Sequence, residues 1–187
     1  ADNMILRNAV CNLGVKRIIT SKIEHHAVLH TIEALKEDEG IEVLIVDVNE
    51  NGLVDMNHLS ALLTSNSSKT LVSLMLVNNE IGTILDAKSV VKLCQENNAL
   101  FHSDTVQVIG HYNFDLQETP IDFVVASAHK FHGPKGVGFA YFRKGFGIKP
   151  ILTGGAQESG ARAGTENVHG ILGMDKALEL AYTHLDL

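Results

Sequence analysis

The 187-residue chain carries 15 Lys and Arg against 22 Asp and Glu, a net charge of −7, with 45% hydrophobic residues and no Trp. That length can bury the core of one sizeable α/β domain, and an acidic balance without a basic stripe argues against nucleic acid as a partner. No apolar run reaches the length of a membrane span, nothing at the start reads as a signal peptide, and Cys11 and Cys94 stand far apart in helix-like patterns, so a reduced, cytoplasmic protein is expected.

The chain opens inside a helix-like pattern, as a piece of something longer would. Residues 2–13 read as an amphipathic helix closed by Gly14, and Arg17-Ile18-Ile19-Thr20 as a short strand followed by Glu24-His25-His26. A helix is expected over 27–37, with Val28, Ile32 and Leu35 on one face and Gly40 as its breaker. A strand over 41–48, a turn at Asn51-Gly52, a helix over 56–63 and a polar loop over 64–69 follow. The next buried strand, 71–77, ends in Asn78-Asn79-Glu80-Ile81-Gly82. A helix over 86–97 and a strand over 99–102 lead to Ser103-Asp104, and 105–120 is mostly connection. The apolar run 121–126 reads as a buried strand and 137–142 as its hairpin partner. Residues 154–164 are glycine-rich, and a helix over 166–183 closes the chain.

Strands alternating with helices at this spacing predict a three-layer α/β/α fold with a mainly parallel sheet, and no second domain. In such sheets ligands bind beyond the carboxyl ends of the strands. Those ends carry Ser21 and His25, then Asn78 and Asn79, then Asp104 with Gln107, and lastly Ser127, His129 and Lys130. A lysine at the end of a buried strand is placed to lose solvation, as an amine needs in order to form a Schiff base with a carbonyl. An amine, a carboxylate, an imidazole and hydroxyl or amide donors are what a pyridine-ring aldehyde phosphate would need. Each residue has a plainer reading: Lys130 as a surface lysine, Asp104 as a cap, His25 as a helix-start histidine, Asn78-Asn79 as turn chemistry. The agreement of four strand ends favours the site. The 10 His include neighbours at His25-His26 and at His129 and His132, but no cysteine pair accompanies them, and a metal site is not expected. Gly133, Gly136 and Gly138 lack the order of a nucleotide-triphosphate loop.

The segment Ser127-Ala128-His129-Lys130-Phe131-His132-Gly133-Pro134-Lys135-Gly136-Val137-Gly138 closely resembles the pyridoxal-phosphate lysine motif of cysteine desulfurases. Residues 20–29, 76–83, 102–107 and 160–168 match the same family in the same order. The resemblance implies a PLP-dependent transferase large domain of fold type I. Lys130, His25 and Asp104 would be catalytic: Lys130 as the cofactor's Schiff-base lysine, His25 stacked on its ring, Asp104 paired with the ring nitrogen. It further implies Gln107 at the phenolic oxygen, Asn79 beside cofactor and substrate, and Ser127 and His129 at the phosphate. Thr165 would serve the phosphate of a neighbouring subunit, hence a homodimer. L-cysteine as substrate and an iron–sulfur scaffold or other sulfur-acceptor protein follow from the same likeness.

The family's upstream Gly-Thr would fall before Ala1, and its reactive cysteine, substrate arginine and small C-terminal domain after residue 187. Residues 1–187 are therefore expected to be a partial cofactor-binding domain, inactive alone, with both cysteines half-buried in helices. Ala156 and Ser159 stand where relatives usually carry Gly and Arg. A selenocysteine lyase or other class-V aminotransferase relative, and a catalytically silent fragment that binds the cofactor weakly, are the competing readings.

Overall fold

In the computed structural model, which describes residues 1–185, short apolar runs alternate with amphipathic helices and pair into one six-stranded sheet. The strands are β1 (Arg17–Thr20), β2 (Glu42–Ile45), β3 (Thr70–Ser73), β4 (Leu100–Asp104), β5 (Phe123–Ser127) and β6 (Gly138–Phe142). Their order is β2-β1-β3-β4-β5-β6, with every pairing parallel except the β5–β6 hairpin. The helices are α1 (Asp2–Cys11), α2 (His26–Glu39), α3 (Met56–Thr64), α4 (Ala87–Glu96) and α5 (Val168–Thr183). Among the described residues no helix is long and apolar enough to cross a membrane.

Neighbouring side chains on a strand leave opposite faces of the sheet. Ile18, Leu71 and Phe123 accordingly pack with α1 and α2, while Ile19, Val72 and Val124 pack with α3 and α4. This is the expected three-layer α/β/α arrangement. A smaller cluster joins Ile109, Ala126 and Phe131 to Met174, Ala177 and Leu178 of α5.

Several boundaries move for physical reasons. The β2 run was expected over 41–48, but only four residues pair, and they are exposed or half-buried because β2 is an edge strand. Beyond β3, the Leu74 and Leu76 N–H groups still donate to the His102 and Asp104 carbonyls, so the chain stays bound to β4 as far as Leu76. Arg17 is fully buried on β1; its guanidinium donates to Thr70 Oγ1, Ser65 Oγ and the Leu63 and Asn66 carbonyls, and so closes the loop between α3 and β3. The two cysteines differ. Cys94 is buried, whereas Cys11, expected half-buried, is exposed at the last position of α1.

Candidate active site

The end of β1 is tied to the end of β3 by two side chains. Ser21 Oγ donates to Glu24 Oε1 at 2.7 Å, and Glu24 Oε2 accepts the Met75 N–H at 2.9 Å. Asn78 Nδ2 donates to the Ile23 carbonyl at 2.7 Å, while its Oδ1 accepts the N–H groups of Glu80 and Ile81. Glu24 is buried, and that burial pushes its carboxyl up to about 8, against the pull of Ser21 and the Met75 N–H. The turn so fixed delivers His25 to the N-cap of α2, where Nδ1 accepts the Ala27 N–H at 3.1 Å. With Nδ1 an acceptor, the ring proton is on Nε2. The exposed ring lies near enough to Asp104 to act on its charge.

Asp104 ends β4, opposite Val125 of β5, and is 6% exposed. Its Oδ1 accepts the Val106 N–H at 2.9 Å, so the capping role read from the sequence is real. Oδ2 is left for another donor. Burial, then the Asp2 charge, hold the Asp104 carboxyl above its ordinary range; the Val106 N–H, His102 and His25 oppose them. Among the described residues no cation pairs with it. Next to it Thr105 Oγ1 donates to the Val125 carbonyl at 2.6 Å, locking the two strand ends together.

Beyond β5 a single helical turn, Ala128–Phe131, carries the lysine. Ala128 and Phe131 are buried and anchor the turn, and His132 leaves it at φ 66°, closing the loop by the Gly133 N–H to the Ala128 carbonyl. Lys130 itself is half-exposed, less desolvated than its place after a buried strand led us to expect. Its carbonyl accepts His111 Nε2 at 2.8 Å. Asn79 and Gln107 share an open cleft of about 470 Å³ with His111 and Tyr112. Ser127 and His129 line a separate groove of about 820 Å³ that also reaches Arg162 and Asn167. Thr165 stands exposed on the loop before α5, in neither cleft; its carbonyl, not its hydroxyl, is engaged, by Arg162.

The chain thus brings Asp104, His25, Gln107, Asn79 and the lysine turn to one end of the sheet. It leaves Thr165 outside that group. Glu24, His111 and Arg162 were not singled out from the sequence. His111 lay in a stretch read as connection, and Glu24 was a turn residue with no periodicity to reveal its burial. Arg162 did stand inside a matched motif, which was the available signal.

The whole chain, residues 1–187, matches the family described as aminotransferase class-V. The cysteine desulfurase IscS of Clostridium botulinum is 48% identical over 168 residues, covering 90% of this chain and 42% of that protein. A solved NifS-like protein superposes with a TM-score of 0.91 at 41% identity, over 98% of this chain and 51% of the other. A structure titled SspA in complex with cysteine superposes at 0.87 with 31% identity, over 95% of this chain and 52% of that one. The chain spans about half the length of these relatives.

Proposed function

We propose that this chain, which belongs to the aminotransferase class-V family, forms the cofactor-binding part of a cysteine desulfurase that takes sulfur from L-cysteine and leaves alanine. The observation that carries this reading is the pairing of β4 and β5, whose adjacent parallel ends present a buried carboxylate and a lysine turn. Asp104 is also the test of fit. A carboxylate whose charge is disfavoured by burial and by Asp2 would gain a partner from a protonated ring nitrogen, and its Oδ2 is available to accept that proton's hydrogen bond. The donor set suits pyridoxal phosphate.

When bound, that cofactor supplies an electron-withdrawing ring that stabilises negative charge on the attached substrate carbon. Lys130 Nζ would hold the cofactor's aldehyde carbon and, once displaced by the substrate amine, carry the substrate proton. His25 would lie against the ring, its plane set by the Ala27 N–H at Nδ1. Gln107 and Asn79 would hold the ring oxygen and substrate side, and Ser127 and His129 the phosphate. A cysteine thiolate would take the substrate's sulfur to become a persulfide, the electron pair of the broken carbon–sulfur bond staying on carbon, where a proton would complete alanine. That thiol we place outside residues 1–187. A second copy offering Thr165, a sulfur-acceptor protein as partner, and the cytoplasm as compartment complete the proposal. The cysteine-bound SspA structure supports L-cysteine as the substrate.

The test is release of sulfide and alanine from L-cysteine by the full-length gene product with a reductant. Lys130→Ala should abolish both. Near-normal release by that variant would remove Lys130 from the mechanism.

A further inference from the structure

Behind Asp104 the fold buries a polar line that the cofactor set does not use. His102 precedes Asp104 by two residues on β4, so the two side chains leave the same face of the sheet. His102 is fully buried, with Nδ1 2.9 Å from Ser73 Oγ on β3. Its Nε2 lies 3.6 Å from Asp2 Oδ1, in the first turn of α1. Neither of those two atoms makes a hydrogen bond.

Two buried polar atoms without hydrogen bonds are costly as neutral groups. As an imidazolium and a carboxylate they attract across the same gap. The Asp2 carboxyl behaves accordingly. Burial works against its charge, yet it is held below the ordinary range, with the His102 ring leading the groups that offset burial. Asp104 faces Asp2 from α1, His102 from its own strand, and His25 with Glu24 from the β1–α2 turn. Asp2 and Asp104 are two carboxylates whose charges disfavour one another in a buried site, so a polar partner placed at Asp2 bears on Asp104 as well. A protonated Asp104 could no longer hold a ring nitrogen in its charged form.

We propose that His102, clamped between Ser73 and Asp2, is a positioning residue that keeps Asp104 a carboxylate for the cofactor's ring nitrogen, with Asp2 as its counter-ion. The inference rests on the reading of Asp104 given above.

The test compares the full-length gene product with His102→Gln, Asp104→Asn and the double variant. Gln at this position can still bridge Ser73 and Asp2 but carries no charge. The readout is the dissociation constant of pyridoxal phosphate, followed by its visible absorption, with the wavelength of the bound band as a second signal. His102→Gln should raise the dissociation constant about tenfold, because it removes the imidazole that favours the Asp104 carboxylate. In the Asp104→Asn background the same change should add less than about twofold and shift the band no further, because both residues act through one charge. Additive losses would show simple packing damage and overturn the inference, as would an unchanged constant in the single variant. Should His102→Gln not fold, Ser73→Ala removes only the hydroxyl that orients the ring. It should weaken binding several-fold with the same non-additivity, and no effect there would equally overturn the inference. A wild-type protein that binds no cofactor fails before any variant is made; it overturns the reading of Asp104 and this inference with it.

Discussion

His111 Nε2 lies 2.8 Å from the carbonyl oxygen of Lys130, and because a carbonyl only accepts, the ring's proton is on Nε2. The connection between β4 and β5 thereby holds the backbone of the lysine turn from outside, while buried Phe131 holds it from inside against α5.

His111→Phe removes that donor and leaves an accessible carbonyl to water. A net hydrogen bond of about 1 kcal/mol predicts roughly fivefold weaker retention of pyridoxal phosphate, with little change in thermal unfolding. Dissociation constants of the two proteins check this. Equal values would show that the turn keeps its shape without His111.

Glu24 makes stability depend on pH. Its carboxyl is pushed by burial from an ordinary 4.5 to about 8. A group whose value is raised on folding stabilises fully below the unfolded value, and that contribution is lost as pH rises through the folded one. Urea midpoints should therefore fall from about pH 5 to about pH 8. Glu24→Gln still offers an acceptor to the Met75 N–H and a donor to Ser21 Oγ, so it should flatten that part of the profile. The same slope in the variant would mean that another group sets it.

Much of this fold is legible in the sequence because its signals are local. Ile18 and Ile19, or Leu71 and Val72, are apolar on both sides, as strands covered by helices must be. Asp55 and Asp86 cap α3 and α4 from positions at or beside the expected helix starts. Asp104 and Lys130 are visible as strand-end residues and, with the family motifs, as members of one site. The relationships that stay hidden join residues distant in sequence. Asp2, Ser73 and His102 meet only when α1 folds over β3 and β4, and nothing in the pattern around any one of them points to the others. Cys11 differs: Asn8, Ala9 and Val10 of the same turn are buried, but Cys11 lies off that buried side, against Glu39.

Neither cysteine is poised as a sulfur nucleophile. Burial, and then the Asp122 charge, push the Cys94 thiol up to about 12. Cys11 is raised as well, by burial and by Glu39, whose carboxylate oxygen is 3.6 Å from Sγ. It also stands at the opposite end of α1 from Asp2, ~15 Å away along a 10-residue helix. The double variant Cys11→Ser, Cys94→Ala should keep sulfide release by the gene product within about twofold, at a stability cost of ~1 kcal/mol from the buried site. Loss of turnover on changing Cys11 alone would make that thiol the nucleophile.

Gly110 and Gly136 separate backbone strain from crowding. Both have positive φ, 82° and 80°, but a Cβ at Gly110 would come within 2.5 Å of Phe131 Cβ, whereas at Gly136 nothing lies within 4 Å. Gly136→Ala should cost about 1 kcal/mol, the left-handed penalty alone. Gly110→Ala should cost clearly more and should also weaken cofactor retention, since Phe131 adjoins Lys130. Equal costs by urea unfolding would mean that the lysine turn yields freely.

Where the cofactor attaches is decided by one chemical measurement. The gene product is incubated with pyridoxal phosphate, reduced with borohydride and digested, and the modified peptide is sequenced. The expected label is on Lys130, in the peptide that follows β5. Label on Lys22 or Lys135, with Lys130 unmodified, would contradict the assignment of this strand end as the active site.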